Sequence, residues 1–313
     1  MNESFTLRGI TFRNRVFTAS GTFGYGDEST GLVDVNRLGG LITKSLSLKP
    51  RDGNPAPRIA ETASGMLNSI GLANIGVQKF IDEKLPVLRT YTTKIIANIA
   101  ASSVEEYCAV AERLEQFDTI AGFEINVSCP NVKEGGLNFG TDPKQVALIT
   151  SELRRRTQKI LIVKLTPNVT HIGEFARVCE GEGADAVSAV NTLIGMAVNI
   201  QTRTPKLSST TGGLSGPAIK PVALAKVYEL TRAVKIPVIG IGGIATWEDA
   251  VEFLLVGAAA VQVGTANFIS PAAGAEIADG IRRYCERSGY ADVASLVGSL
   301  IVEKNRSVID SWL

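Results

Sequence analysis

Eight short runs rich in valine and isoleucine recur along the chain, at Val16–Ala19, Leu41–Leu46, Ile95–Ala100, Gly122–Ser128, Ile160–Leu165, Ala186–Asn191, Pro237–Gly243 and Ala258–Gly264, each followed by helix-like periodicity. Near-continuous apolar runs are what strands covered on both faces require, so the pattern predicts a parallel sheet with helical crossovers. Eight strands with eight crossovers is the count of a (β/α)8 barrel. At 313 residues the chain is long for a single domain of another kind, whereas such barrels run near about 250 residues. No internal repeat, charged run or low-complexity segment divides it, so residues 1–313 are expected to form one α/β domain with TIM-barrel architecture. Phe5–Phe12, with Arg8-Gly9 in the middle, reads as a hairpin plugging the amino-terminal end.

The fourth run carries the most chemistry. Phe123-Glu124-Ile125-Asn126-Val127-Ser128 leads straight into Cys129, and Pro130 then stops the strand. Cys129 therefore falls at a strand's carboxyl end, where parallel α/β folds bind ligands, among Asn126, Ser128 and Asn131. Two connections exceed plain βα loops, Ser47–Asn74 and Thr192–Pro217, and long ordered loops usually carry function. Together with Pro130–Thr141, which contains Gly135-Gly136, they are expected to roof one mouth.

The other strand ends supply amides, hydroxyls and two lysines: Ser20, Lys44-Ser45, Asn98, Lys164 and Asn191-Thr192. A lysine at a strand end is usually a solvated rim charge, but Lys44 and Lys164 lie inside apolar runs, where an unpaired ammonium is costly. The last two strands end in Gly242-Gly243 and Gly264-Thr265, and barrels often hold a phosphate on backbone N–H groups there. Gly240–Ala245 imitates a dinucleotide fingerprint, yet the acidic residue required about 20 positions later is replaced by Val261-Gln262-Val263-Gly264. The mouth thus reads as a site for a phosphorylated cofactor and a small polar ring.

Other features exclude function classes. A formal net charge of +1, with 45% hydrophobic and 20% charged residues, gives no reason to expect nucleic acid or anionic lipid as a partner. No targeting segment or bilayer-spanning run is evident, so residence in the cytoplasm is expected, with no membrane contact. Cys108, Cys129, Cys179 and Cys285 include no C-x-x-C pair, so no metal or iron–sulfur site is expected in this chain. Cys108, Cys179 and Cys285 fall in helical patterns and read as buried inert thiols. The only histidine, His171, stands at a helix start and reads as a capping or surface residue. With imidazole scarce, Cys129 becomes the leading proton acceptor, and nearby lysines would favour its thiolate.

Five motifs together resemble the class 1 dihydroorotate dehydrogenases across nearly the whole chain: Thr43-Lys44-Ser45, Gly53-Asn54-Pro55-Ala56-Pro57-Arg58, Asn68-Ser69-Ile70-Gly71-Leu72, Asn126–Asn131 and Thr211–Pro217. Ala19–Gly24 and Ser64–Asn68 resemble the class 1B catalytic subunit more than the class 1A homodimer. The resemblance implies a barrel holding noncovalent FMN and oxidising (S)-dihydroorotate to orotate in pyrimidine biosynthesis. It implies FMN contacts at Ser20, Lys44, Ser45, Asn98, Asn126, Lys164, Val190, Gly216, Gly242, Gly243, Gly264 and Thr265. Substrate would meet Lys44, Asn68, Ser69, Ile70, Gly71, Leu72, Asn126, Asn131, Asn191 and Thr192. Class 1B likeness further implies a partner subunit with FAD and a [2Fe–2S] cluster that passes electrons to NAD+, around a homodimeric core in a heterotetramer.

Elementary chemistry fits. Oxidation of the C5–C6 bond removes a proton from C5 and a hydride from C6, so a base and a hydride acceptor are both needed. Asparagine amides present donor and acceptor together, matching the alternating C=O and N–H groups of a pyrimidine dione. Three other readings compete: a class 1A fumarate-linked enzyme, a dihydropyrimidine dehydrogenase-like flavin subunit that needs no carboxylate site, and a non-enzymatic nucleotide-binding barrel.

Overall fold

Eight parallel strands close into a barrel in sequence order: β1 Val16–Thr18, β2 Gly40–Ile42, β3 Lys94–Ile99, β4 Ile120–Asn126, β5 Ile160–Leu165, β6 Ala186–Ala189, β7 Val238–Ile241 and β8 Ala260–Val263, with β8 pairing back onto β1. The computed structural model describes residues 1–29, 31–128, 130, 131 and 137–302. All eight expected runs are strands. Their ends differ by a few residues; Leu41–Leu46 shows the largest change, because the chain leaves the ladder after Ile42 and places Lys44 and Ser45 beyond the strand.

Helices cover the outside at Val104–Glu115, Pro143–Arg156, Ile172–Gly181, Lys220–Ala233, Trp247–Leu255 and Ala273–Arg287. Their starts are chemically marked: the Ser103 and Asp142 side chains accept backbone N–H bonds, and Thr246 with Asp249 forms a reciprocal capping box. Among the described residues between β1 and β2, the expected helical pattern gives only 3-10 turns, at Asp27–Ser29 and Val35–Arg37. Gly21, Gly24 and Gly26 all have positive φ in that crossover, and a right-handed helix cannot pass through them.

The amino-terminal plug is present. Phe5–Leu7 pairs antiparallel with Ile10–Phe12, and Phe5, Leu7 and Phe12 pack against inward residues of the barrel, including Phe17, Ile42, Ile96, Ile162 and Ile239. The Phe12 and Phe17 rings stand 4.9 Å apart. This apolar layer seals one end, so ligands have access only from the other.

At the open end the two long connections are not irregular loops. Ile59–Thr62 and Gly65–Asn68 from the first join Leu193–Gly195 and Gly212–Ser215 from the second in one four-stranded antiparallel sheet. The central pairing aligns Asn68 with Gly213, Leu67 with Leu214 and Met66 with Ser215. The central strand already ends at Asn126, four residues before Pro130, and Pro130–Asn131 instead forms a two-residue ladder with Leu137–Asn138.

Candidate active site

Side chains of an extended strand alternate with period two, so the polar layer of the barrel follows directly from its apolar plug. Two residues beyond Ile96, Ile162, Ala186 and Ala260 stand Asn98, Lys164, Ser188 and Gln262, while Glu124 follows Gly122 on β4. These five meet inside the barrel. Glu124 is 0% exposed. Its Oε1 accepts from Asn98 Nδ2 at 2.7 Å, and its Oε2 accepts from Ser188 Oγ at 2.8 Å and Gln262 Nε2 at 2.5 Å. The Lys164 ammonium lies 3.7 Å from Oε1 and donates to Ser20 Oγ at 3.3 Å, and Ser45 Oγ donates to Asn98 Oδ1 at 2.6 Å. One network therefore ties together four positions assigned to FMN: Ser20, Ser45, Asn98 and Lys164.

One step nearer the mouth, a second chain of contacts joins the substrate positions. Asn191 Nδ2 donates to Asn126 Oδ1 at 3.1 Å, and Asn191 Oδ1 accepts from the Thr192 N–H at 2.8 Å. A Cβ on Gly213 would lie 2.2 Å from Thr192 Oγ1, so this glycine lets the roof sheet settle on Thr192. Asn68 pairs with Gly213 and donates to its carbonyl at 3.2 Å. Asn126, Asn191, Thr192 and Asn68 thus form a continuous polar wall. Ser69 is held by Asn54 Nδ2 at 2.7 Å and by Ser209 Oγ at 2.6 Å. Gly71 and Leu72 both have positive φ, the carbonyl of Ile70 accepts from the Asn54 N–H, and Leu72 turns its side chain toward the core.

The glycine positions line the opposite rim. Gly242 adopts φ 126, and a Cβ there would meet Ala223 at 2.7 Å and Val190 at 3.2 Å. Gly216 adopts φ 93 and presses against Gly65. Gly264 lies against Ala19, and Thr265 Oγ1 donates to Ser215 Oγ at 2.9 Å, joining the end of β8 to the roof sheet. A Cβ on Gly243 would strike the backbone of Lys220. That lysine is committed elsewhere: hydrogen bonds to Asp249 at 2.7 Å and Glu252 at 2.8 Å raise its pKa above the ordinary lysine value. The donor set and these side-chain-free rims fit a phosphorylated, planar group.

Lys44 differs from Lys164. It is half-buried, and among the described residues no hydrogen bond or ion pair engages its ammonium. Cys129 and residues 132–136 lie outside the described residues, and of Asn131 only the backbone is described. On the near side of that segment, Tyr107 Oη donates to the Asn126 carbonyl at 2.6 Å, Ser128 N–H donates to Asn126 Oδ1 at 3.1 Å, and Gly140 N–H donates to the Val127 carbonyl at 2.7 Å.

Sequence reasoning missed Glu124, Ser188 and Gln262 as parts of the site, and also Asn168, whose amide binds the Thr192 carbonyl at 3.0 Å. The signal for the first three was a polar residue at an inward position of an apolar strand. The remaining cysteines match expectation: Cys108, Cys179 and Cys285 are buried, and burial pushes the Cys179 thiol up to about 12. His171 occupies the N-cap position of Ile172–Gly181, but its exposed side chain makes no capping bond.

A (β/α)8 barrel sealed at one end, with a polar network, an amide wall and glycine rims at the other, defines a small-molecule enzyme of the barrel class. The model of the family described as dihydroorotate dehydrogenase matches residues 4–284. The dihydroorotate dehydrogenase B (NAD(+)), catalytic subunit of Geotalea uraniireducens is 55% identical over 298 residues, covering 95% of this chain and 98% of that protein. The proteins of the same name from Geobacter metallireducens, 54% identical over 299 residues with 96% and 98% covered, and from Thermoanaerobacter sp., 51% identical over 303 residues with 97% and 100% covered, are similar over the same extent. The chain belongs to the dihydroorotate dehydrogenase family. It is accordingly an oxidoreductase acting on a CH–CH donor, and the family implies a flavin cofactor. Among the described residues no helix is long and apolar enough to cross a membrane.

Proposed function

We propose that this chain oxidises (S)-dihydroorotate to orotate as an FMN-dependent catalytic subunit, with Cys129 as the base and NAD+ as the final acceptor. The observation that carries the reading is the adjacency of two sets: the network Ser20–Lys164–Glu124–Asn98–Ser45 and the wall Asn126–Asn191–Thr192–Asn68. The first set, with Lys44, Asn126, Val190, Gly216, Gly242, Gly243, Gly264 and Thr265, would hold FMN. When bound, FMN supplies the acceptor for the C6 hydride.

The protein's own groups do the rest. The amides of Asn68, Asn126, Asn131 and Asn191 orient the ring by offering donor and acceptor at each edge. Lys44, with the backbone of Gly71 and Leu72, would take the carboxylate, since its ammonium has no competing partner among the described residues. The thiolate of Cys129 would receive the C5 proton, and the electron pair of the broken C5–H bond becomes the second bond between C5 and C6 as the hydride leaves C6.

Anaerobic mixing of the purified chain with dihydroorotate, followed by flavin absorbance, tests this. Wild type should be yellow and bleach; Cys129→Ala should keep FMN and bleach on the order of 10²-fold more slowly. A folded chain that cannot take up FMN, or a variant that bleaches at the wild-type rate, would overturn the respective assignment.

The electron route rests on the catalytic-subunit name of the relatives and on the separation of the four cysteines. The isolated chain should turn over artificial acceptors but hardly reduce NAD+. Co-purification with a subunit carrying FAD and [2Fe–2S], in a heterotetramer around two catalytic chains, should confer that activity. Efficient fumarate turnover by a homodimer would instead place the chain in class 1A.

A further inference from the structure

Glu124 is the most deeply buried acid of the site, and the chemistry above leaves it without a role. A carboxylate at 0% exposure pays a large desolvation penalty, which its partners here offset by geometry. An aliphatic side chain would fill the same interior at no such cost, so stability alone gives weak grounds for the charge. Its neighbours supply better ones. Of the groups that face it, Asn98 and Lys164 belong to the set assigned to FMN, and Ser45 and Ser20 are each one hydrogen bond further away. Ser188 and Gln262 brace the other oxygen from β6 and β8. A shift of this one carboxylate would release Asn98 and Lys164 together, and with them the two serines.

We propose that Glu124 is a positioning residue that holds Asn98 and Lys164 toward the flavin and sets how much of the Lys164 charge the flavin experiences. The inference rests on the FMN reading above. A flavin gains electrons on reduction, so positive charge held near it would favour the reduced form. Glu124, 3.7 Å from the Lys164 ammonium, offsets that charge. Replacing it with the isosteric neutral amide keeps the volume and uncovers the cation.

The test is dye-equilibrated reduction of the FMN-loaded chain. In Glu124→Gln the ratio of reduced to oxidised FMN at a fixed solution potential should rise about tenfold or more, as expected for loss of a unit charge at an effective dielectric constant near 20. Glu124→Gln with Gln262→Glu, which returns a carboxylate to the same cluster, should bring the ratio back toward wild type. If the uncovered ammonium prevents Glu124→Gln from folding, Glu124→Gln with Lys164→Gln carries no charge in the cluster and is compared with Lys164→Gln alone; the double variant should again show the higher ratio. Unchanged ratios in FMN-loaded variants would overturn the role of Glu124 while leaving the FMN reading intact. A wild-type chain that never binds FMN would overturn both.

Discussion

Replacing Asn191 with alanine should separate substrate recognition from cofactor binding. The side chain makes two contacts in the wall, Nδ2 to Asn126 Oδ1 at 3.1 Å and Oδ1 to the Thr192 N–H at 2.8 Å, and neither touches the Glu124 network. Each fixes the amide plane, leaving one N–H and one lone pair to meet the ring. Loss of two ligand hydrogen bonds at about 1.5 kcal/mol each lowers kcat/KM for dihydroorotate by about 10²-fold. The folded state loses about 1 kcal/mol from the two broken internal bonds. At about 2.1 cal/mol/K per residue this amounts to a fall of only about 1–2 °C in Tm. Flavin content should stay at the wild-type value. The assay is stopped-flow bleaching across dihydroorotate concentrations, with FMN content read from absorbance. A kcat/KM within about threefold of wild type would show that Asn191 does not meet the substrate. Loss of FMN would show that Asn191 also serves the cofactor, through its hydrogen bond to Asn126.

Phe12→Ala removes a fully buried ring from the plug at the far end of the barrel and should cost about 3–5 kcal/mol by denaturant melts, with kcat unchanged in the folded fraction. Titration of the native chain with a thiol reagent should label Cys129 first and leave Cys108, Cys179 and Cys285 unreacted until unfolding, because burial raises all three thiols and pushes Cys179 up to about 12. Lys220→Met should lower stability by about 1–2 kcal/mol near neutral pH. The sign follows from the pair: burial opposes ionisation of Asp249, but hydrogen bonds from Lys220 and the Ala245 and Thr246 N–H groups outweigh it and hold the carboxyl below its usual value. That contribution is present above the ordinary aspartate range and is lost as pH falls through the lowered one, while the raised Lys220 contribution is lost as pH climbs above the ordinary lysine value. Denaturant midpoints for wild type and variant should therefore converge at both extremes; a constant gap from acid to alkaline pH would contradict the pairing.

The barrel was legible because its strands are covered on both faces and so read as apolar runs whatever they pack against. Their ends were less so. Thr43-Lys44-Ser45 continues an extended pattern, and only the closure of the barrel decides that the ladder stops at Ile42 and that Ser45 turns to Asn98. The roof sheet was invisible for a plainer reason. Gly65–Asn68 and Gly212–Ser215 have neither alternation nor strong strand formers, and their pairing joins residues such as Asn68 and Gly213 that lie far apart in the chain.

At the site, residue types announced the chemistry: a thiol after a strand, amides and lysines at strand ends, glycines after the last two. Which of them touch was not local information. Lys164 stood out as a cation in an apolar run, yet its counter-charge, Glu124, sits on another strand and meets it through the register that aligns Lys164 with Asn126 and Ile162 with Glu124. Period two alone points Glu124 inward; barrel closure then brings Asn98, Ser188 and Gln262 around it from three further strands. The sequence by itself determined the architecture and the kinds of group at the mouth, because burial and backbone geometry act residue by residue. The tertiary structure alone decided the partners, because hydrogen bonds and ion pairs form between side chains whose distance no local pattern sets.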